Sequence, residues 1–317
     1  MHLLILDQFA DYYKSKLESQ FPEVSIHAVS EEEEIGELIE KIDILMAIKI
    51  TDEPMRRASK LKWIQAMTVG VDFFLKLPSL REDVIMTSMR GIHGPQMSEM
   101  AILLMLALNR NFPQIVRNQD KRIWERWPTK LLYQKKVGIL GLGVSGQEIA
   151  RKCKVFEMTV YGINRTKREI EFVDHFFQPD RLLEVTREVD YFVIVIPSTP
   201  ETHHMVNAEA LSSMKPTAFL VNIGRGDVVD EEALLHVLET GKIAGAALDV
   251  CADDPKPLAK DSPLWGMKNV IITPRVGGMS DIYPDQILPI FEENLRRFLN
   301  GERRDLINFI EWSKWDS

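Results

Sequence analysis

Residues 137–146 read VGILGLGVSG, a short apolar run that leads directly into three glycines spaced G-x-G-x-x-G. Gly141 permits a tight bend after a strand, Gly143 lets a ligand approach the backbone, and Gly146 lets the next helix pack closely on that strand. A helical segment, GQEIARKCKVF, and a second apolar strand, TVYGIN, follow. This order predicts a dinucleotide-binding turn rather than an ordinary glycine-rich loop, with phosphates on the positive end of the helix.

The end of the second strand indicates which dinucleotide is bound. An NAD site would carry an acid there, but the strand ends at Asn164, and the next residues are Arg165, Thr166, Lys167 and Arg168. Guanidinium and hydroxyl donors suit a 2′-phosphate, so the sequence favours NADP over NAD. A solvated basic loop is the alternative. The expected cofactor contacts in this unit are Gly141, Leu142, Gly143, Val144, Ser145, Gly146, Asn164, Arg165 and Thr166.

Composition limits the class of protein. The 317 residues suggest about two domains, and 45% of them are hydrophobic, enough for sizeable cores. A net charge of -8 argues against nucleic acid or an anionic membrane as partner. Two cysteines are too few for a disulfide scaffold, no metal-ligand spacing is present, and no apolar run reaches a membrane span. We expect a cytoplasmic enzyme without a metal.

Short apolar runs alternate with helical stretches along the chain, which predicts an α/β fold with two doubly wound parallel sheets. The first series of strands is 3–7, 25–29, 42–48, 63–68 and 84–89, and a helix from about Pro95 to Arg110 follows it. The second series starts at Lys136 and continues through 159–164, 191–197, 218–224, 244–250 and 269–274. A last helix, at about 284–299, comes after the second sheet and is expected to return to the first domain.

Three charged residues follow three successive strands of the second series: Arg225, Asp254 and Arg275. Open parallel sheets bind ligands at the carboxyl ends of their strands, so these side chains are expected to share one site. Two arginines and one carboxylate suit a small anionic substrate, because guanidinium binds carboxylate in a bidentate manner. Each residue alone could equally form a surface ion pair.

Several ordered motifs carry a resemblance to a known family: MTVGVD at 67–72, RGIHGPQMSEMAILLMLAL at 90–108, GILGLGVSG, NIGRGDVVDEEAL, and AGAALDV followed by SPLWGMKNVIITP. In these the chain resembles the D-isomer-specific 2-hydroxyacid dehydrogenases, and in several places their glyoxylate and hydroxypyruvate reductases. The resemblance implies a flavodoxin-like substrate domain, residues 1–98 plus 285–317, and a Rossmann cofactor domain, residues 99–284, with an interdomain cleft. It also implies a homodimer.

The resemblance also implies roles for individual residues. It places the substrate carboxylate on the backbone amides of Val69 and Gly70, and the substrate carbonyl near Arg225. Further cofactor contacts are expected at Pro197, Thr202, Ile223, Gly224, Asp249, Gly277 and Gly278.

The main departure from the family pattern lies in its catalytic acid pair, a glutamate and a histidine. The matching positions carry Asp254 and Arg275. Guanidinium holds its proton past pH ~12 and is a poor general acid, although a fixed cation stabilises a developing alkoxide. Aspartate is shorter than glutamate and arginine is longer than histidine, so the two changes could compensate and keep an ion pair between a carboxylate and a cation. His93, in the loop before the long helix, is the candidate to replace the missing histidine, although a structural role fits it better.

Two functions remain open. The preferred one is an NADP-dependent oxidoreductase that reduces a small 2-oxo acid to a 2-hydroxy acid. The other is a catalytically weak or silent cofactor-binding member that acts as a sensor or interaction protein. If Arg275 lies in the site, a substrate with a second acidic group, a dicarboxylate or a phosphorylated oxo acid, would also fit.

Overall fold

The computed structural model describes residues 1–167, 169–254 and 256–311. Arg168 of the basic loop therefore lies outside the described residues. The chain divides into two compact units, Met1–Ile92 together with the described residues from Ser280 onward, and His93–Met279. These divisions fall a few residues before the domain boundaries expected at 98/99 and 284/285.

The first unit contains a five-stranded parallel sheet. Its strands are β1 (His2–Leu6), β2 (Ser25–Val29), β3 (Ile44–Ala47), β4 (Trp63–Ala66) and β5 (Ile85–Thr87). They lie in the order β2-β1-β3-β4-β5. Three helices accompany them in the first part of the chain: α1 (Ala10–Leu17), α2 (Asp52–Arg57) and α3 (Asp72–Leu75). The strands β3 and β4 are buried on both faces, as parallel strands covered by helices require.

The second unit contains a seven-stranded parallel sheet. Its strands are β6 (Lys136–Leu140), β7 (Thr159–Ile163), β8 (His175–Phe177), β9 (Tyr191–Ile194), β10 (Phe219–Asn222), β11 (Gly245–Leu248) and β12 (Val270–Ile272). Their order is β12-β11-β10-β9-β6-β7-β8. The glycine turn thus follows the strand beside which the order reverses, the position at which open α/β sheets bind ligands. The sequence did not predict β8.

The helices of the second unit are α4 (Gly94–Arg110), α5 (Phe112–Asp120), α6 (Val144–Val155), α7 (Leu182–Glu188), α8 (Ala208–Ser213) and α9 (Glu231–Glu239). Pro95 occupies the first turn of α4, where its missing N–H costs nothing. Asp230 directly precedes the helical sequence EEALLHVLE, which predicts an N-cap, and it caps α9 by accepting from the Ala233 N–H at 3.0 Å. Two apolar clusters bury most of the sheet residues on its two faces.

The last helix, α10 (Tyr283–Leu299), packs on the sheet of the first unit. The Trp63 ring of β4 stacks on Phe291 with ring centroids 5.4 Å apart. A buried polar network crosses the same contact, because the Asn294 amide donates to Gln65 Oε1 at 3.1 Å and Thr87 donates to the same oxygen at 2.8 Å. These bonds satisfy polar groups that burial would otherwise penalise. Among the described residues, every helix is too short or too polar to span a bilayer.

Candidate active site

The glycine turn is close-packed on one side and open on the other. Gly141 has a φ of +103°, a backbone conformation that would be strained in a residue with a side chain. A Cβ added to Gly146 would lie 1.9 Å from the Gly141 carbonyl oxygen, whereas one added to Gly143 would meet no heavy atom within 4 Å. Gly143 immediately precedes α6, whose first residues are Val144 and Ser145. The turn therefore presents bare backbone at a helix N-terminus, the geometry that a pyrophosphate requires.

The end of β7 lies against this turn. The Leu142 N–H points at Asn164 Oδ1 at 3.5 Å, and the Asn164 amide donates to the Thr166 carbonyl at 3.2 Å. The pKa of Glu201 is lowered, first by a hydrogen bond from the Thr199 hydroxyl and also by the nearby charge of Arg165. Arg165 therefore places a positive charge near Glu201, an exposed acid of the loop after β9.

The loop after β9 is organised by one hydroxyl. Thr202 is buried, and its Oγ1 donates to the Pro197 carbonyl at 2.8 Å while it accepts from the Thr199 N–H at 2.8 Å. Pro197 and Thr202, both expected at the cofactor, therefore belong to one closed turn. In this structure the Thr202 hydroxyl stabilises the loop itself.

Arg225 is presented by a turn that a buried asparagine holds. The Asn222 amide donates to the Arg225 carbonyl at 2.9 Å, and Asn222 Oδ1 accepts from the Gly224 N–H at 3.1 Å. The next glycine, Gly226, fits because a Cβ there would lie 1.7 Å from the Cys251 carbonyl oxygen. Sequence reasoning singled out Ile223, Gly224 and Arg225 but missed Asn222; the signal was a polar residue ending an otherwise apolar strand.

Asp249 follows β11 and holds the neighbouring loop. Its side chain is 4% exposed and accepts three hydrogen bonds, from Thr273 Oγ1 at 2.5 Å, the Val276 N–H at 3.1 Å and the Gly277 N–H at 2.9 Å. The Asp249 carbonyl also accepts from the Arg275 N–H at 3.0 Å. We expected Asp249 at the cofactor; its carboxylate is committed to the backbone that carries Arg275, so any cofactor contact stays a prediction.

Asp254 and Arg275 form an ion pair, with Oδ1 and Nη1 2.5 Å apart. The Asp254 side chain is 8% exposed and that of Arg275 is 45% exposed. Burial raises the pKa of Asp254, while the charges of Arg275 and Arg225 act in the opposite direction. The structure thus contains the carboxylate to cation pair that the sequence suggested, with Arg225 near enough to act on the same acid.

His93 lies at the start of α4, close to Gly278. A Cβ on Gly278 would lie 3.3 Å from the His93 ring carbon Cδ2. Burial, together with the positive charge of Arg225, lowers the pKa of His93 to about 4. The ring is therefore neutral at pH 7, and a cationic histidine is not available there as a proton donor.

The loop after β4, in the first unit, carries Val69 and Gly70. Thr68 donates to the Gly70 carbonyl at 2.7 Å, and the Tyr283 hydroxyl donates to the Met67 carbonyl. Within the described ranges, the backbone N–H groups of Val69 and Gly70 donate no hydrogen bond. Two adjacent N–H groups on a fixed loop are suited to an anion such as a carboxylate.

The structure thus brings four expected residues together in the second unit, namely Arg225, Asp254, Arg275 and His93. Val69 and Gly70 belong to the first unit. In the part of the chain that is described, no three histidine, cysteine or acidic side chains are grouped as metal ligands would be.

Comparison with known proteins identifies the family. Residues 102–277 match the NAD binding domain of the D-isomer specific 2-hydroxyacid dehydrogenases. The chain belongs to this family. Its members are oxidoreductases, and the two parallel sheets described above are those of the family's solved structures.

Two solved structures match the structure of this chain along nearly its whole length. A D-isomer specific 2-hydroxyacid dehydrogenase family protein from Aeromonas salmonicida subsp. salmonicida is 36% identical, with a TM-score of 0.89 and 98% of both chains covered. An NADPH-dependent glyoxylate/hydroxypyruvate reductase from Sinorhizobium meliloti, solved with NADP and sulfate, is 27% identical, with a TM-score of 0.82 and 98% of both chains covered.

Two curated relatives are similar at the level of sequence. The glyoxylate reductase of Thermococcus onnurineus is 34% identical over 87% of this chain and 85% of its own length. The D-3-phosphoglycerate dehydrogenase of Methanocaldococcus jannaschii is 31% identical over 90% of this chain, which spans only 55% of that relative's length.

Proposed function

We propose that this chain reduces a small 2-oxo acid to the corresponding 2-hydroxy acid with NADPH. The observation that carries the proposal is Arg225, whose backbone is fixed after β10 and whose charge acts on Asp254, the ion-pair partner of Arg275. The open glycine turn follows β6 at the same edge of the same parallel sheet. The family relatives described above as glyoxylate reductases support this class of substrate.

The glycine turn fits a dinucleotide. Gly143 leaves open space where a phosphate approaches, and the N-terminus of α6 favours negative charge. Asn164 in place of an acid, with Arg165 and Thr166 after it, supports NADP as the cofactor, because an acid there would repel a 2′-phosphate. The bound cofactor supplies the hydride that is added to the carbonyl carbon.

The residues of the chain then polarise the carbonyl and stabilise the product alkoxide. Arg225 donates to the carbonyl oxygen, and Arg275, oriented by Asp254, adds a second positive charge. The proton that completes the hydroxyl comes from water, because guanidinium does not release its proton below pH ~12 and His93 is neutral at pH 7. Val69 and Gly70 are proposed to bind the substrate carboxylate through their N–H groups.

We propose that two copies of the chain associate through α5 and the segment after it. Phe112, Ile115 and Val116 of α5 are exposed, and Trp124 is 94% exposed. Exposed apolar side chains grouped in this way are typical of an interface between proteins. Light scattering on Val116→Glu and on the unchanged protein tests it: the unchanged protein should have the mass of two chains and the variant that of one.

Steady-state oxidation of NADPH by the purified protein tests the proposed reaction. The substrates are glyoxylate, hydroxypyruvate and longer 2-oxo acids, with NADH in parallel and Arg275→His and Arg225→Gln as variants. The proposal predicts turnover by the unchanged protein, faster with NADPH, and a loss of about a hundredfold or more in Arg225→Gln. NADPH binding without turnover, with activity only in Arg275→His, would instead indicate the silent cofactor-binding protein.

A further inference from the structure

The backbone of Arg275 is held in an unfavourable conformation. Its φ is +55°, in the left-handed region that residues with a Cβ rarely adopt. The Asp249 carbonyl accepts from its N–H, and the Asp249 carboxylate accepts from the next two N–H groups, those of Val276 and Gly277. The buried aspartate therefore fixes the direction in which the Arg275 side chain leaves the loop. Non-glycine residues in such conformations are concentrated at functional sites.

The side chain of Arg275 is fixed at one end only. Nη1 donates to the buried Asp254 carboxylate. Across the described ranges, Nε and Nη2 have no acceptor within the protein, although the guanidinium is planar and presents five donors in a fixed fork. The 45% exposure of this side chain leaves that half of the fork open to an anion from solution. Asp254 therefore orients the Arg275 guanidinium while it bonds to one of its three nitrogens, Nη1.

The Asp254 carboxylate is influenced by two positively charged side chains. Arg225 and Arg275 both act on this single carboxylate. Asp227, a nearby carboxylate that accepts from the Ser198 hydroxyl, acts on Asp254 in the opposite direction to the two arginines. An anionic group on the substrate would meet a pre-oriented guanidinium beside the arginine that polarises the carbonyl, and charge-assisted bidentate bonds are the strong form of that contact.

We infer that Arg275 forms a subsite for a second acidic group on the substrate, a carboxylate or a phosphate, beside the carbonyl that is reduced. This inference rests on the proposed reduction of a 2-oxo acid and names its substrate class: 2-oxo acids with two anionic groups are preferred to those with one. Arg275 is in this respect a specificity-determining residue.

Matched substrate pairs test the inference with the full-length protein and NADPH. The pairs are 2-oxobutyrate with oxaloacetate, 2-oxovalerate with 2-oxoglutarate, and hydroxypyruvate with its 3-phosphate ester. The first two pairs test a carboxylate and the third tests a phosphate. The quantity compared is the ratio of kcat/KM between the members of a pair, because loss of a general catalytic effect lowers both members alike.

In at least one pair, the member with two acidic groups is expected to have a kcat/KM about ten- to a hundredfold higher. Arg275→Gln should bring this ratio close to one, and Arg275→Lys should keep part of it because the charge remains. Arg181→Gln, which removes an exposed arginine paired with Glu184, is the matched control and should keep the whole ratio. A ratio near one in the unchanged protein for all three pairs, or a ratio that Arg275→Gln does not change, would overturn the inference.

A binding measurement separates the subsite from the reaction. In the presence of NADP, malonate and succinate are compared with propionate and butyrate for the rise in melting temperature that each produces. If no 2-oxo acid is turned over, a rise specific to the dicarboxylates and absent in Arg275→Gln would support the subsite while the proposed reaction fails. Equal shifts for both classes of acid, or equal shifts in both proteins, would overturn the subsite.

Discussion

Asp254 holds Arg275 through one ion pair, 2.5 Å long, in which the acid is buried and the guanidinium is half exposed. The Asp254 carboxylate orients the guanidinium, and the exposed part of Arg275 presents its positive charge to the solvent. The resemblance to the family implies a glutamate and a histidine at these positions, where they would deliver a proton. The pair in this chain instead places a permanent positive charge at the end of the sheet, and the role proposed for it is therefore electrostatic.

A double-mutant cycle tests this pairing. Asp254→Asn and Arg275→Gln should each lower kcat/KM, and the double variant should lose less than the sum. Arg275→Gln should also lower the free energy of unfolding, because it leaves the buried Asp254 carboxylate without its partner. The expected coupling is about 1–2 kcal/mol, because the first change already removes the contact. The exposed pair of Glu148 and Arg151 is the matched control and should couple by less than ~1 kcal/mol. Additive losses at Asp254 and Arg275 would show that the two side chains act separately.

The glycine turn offers a comparison between two neighbouring glycines. Gly146→Ala should destabilise the protein strongly, because its Cβ would lie 1.9 Å from a carbonyl oxygen. Gly143→Ala should fold with a melting temperature close to that of the unchanged protein, because its Cβ meets nothing within 4 Å, yet it should bind NADPH at least about tenfold more weakly. Fluorescence titration with NADPH and thermal unfolding measure both. Unchanged NADPH affinity in Gly143→Ala would place the cofactor elsewhere.

Asn164 tests the choice of cofactor. Asn164→Asp adds the acid that repels a 2′-phosphate, so KM for NADPH should rise about tenfold or more while KM for NADH falls. Asn207→Asp makes the same chemical change at the N-cap of α8, where aspartate caps equally well, and should leave both values as they are. An Asn164→Asp protein with an unchanged preference would contradict the proposed position of the 2′-phosphate.

The protonation of His93 sets a pH dependence of stability. The native pKa of about 4 lies below the ordinary value of 6.5, so between these values the unfolded chain takes up a proton that the native protein does not. The free energy of unfolding should therefore fall as the pH drops from 6.5 toward 4, by on the order of 2 kcal/mol from this residue. Urea unfolding at pH 7.5 and 4.5 measures it. His93→Gln should lessen the fall, and the exposed control His236→Gln should not.

Much of the fold could be predicted from the sequence because its signals are local. The apolar runs gave the strands of both sheets, and Pro95 and Asp230 marked the starts of α4 and α9. Strand β8 was missed because a three-residue run, HFF, has no periodicity of its own and is a strand only through its pairing with β7. Pairing of that kind depends on tertiary structure.

The residues of the candidate site could be predicted from the sequence, but the backbone conformations and hydrogen bonds that hold them could be predicted less well. Arg225, Asp254 and Arg275 could be found because each follows a strand in the same parallel sheet. The sequence could not predict the left-handed backbone of Arg275 or the three hydrogen bonds to Asp249. Both depend on how the loop over residues 273–277 closes onto a strand end 24 residues earlier in the chain. The depressed pKa of His93 depends in the same way on tertiary structure, first on burial of the ring and then on the charge of Arg225, which is distant in the sequence.

Transfer of deuterium tests the central claim most directly. The unchanged protein is mixed with NADPH deuterated at the transferable position of the nicotinamide and with glyoxylate, and the glycolate is analysed by mass spectrometry. The account predicts one deuterium in each glycolate molecule formed, in an amount that matches the NADPH consumed. NADPH that binds tightly but leaves no deuterium in any 2-hydroxy acid, across glyoxylate, hydroxypyruvate and the dicarboxylic 2-oxo acids, would contradict the account.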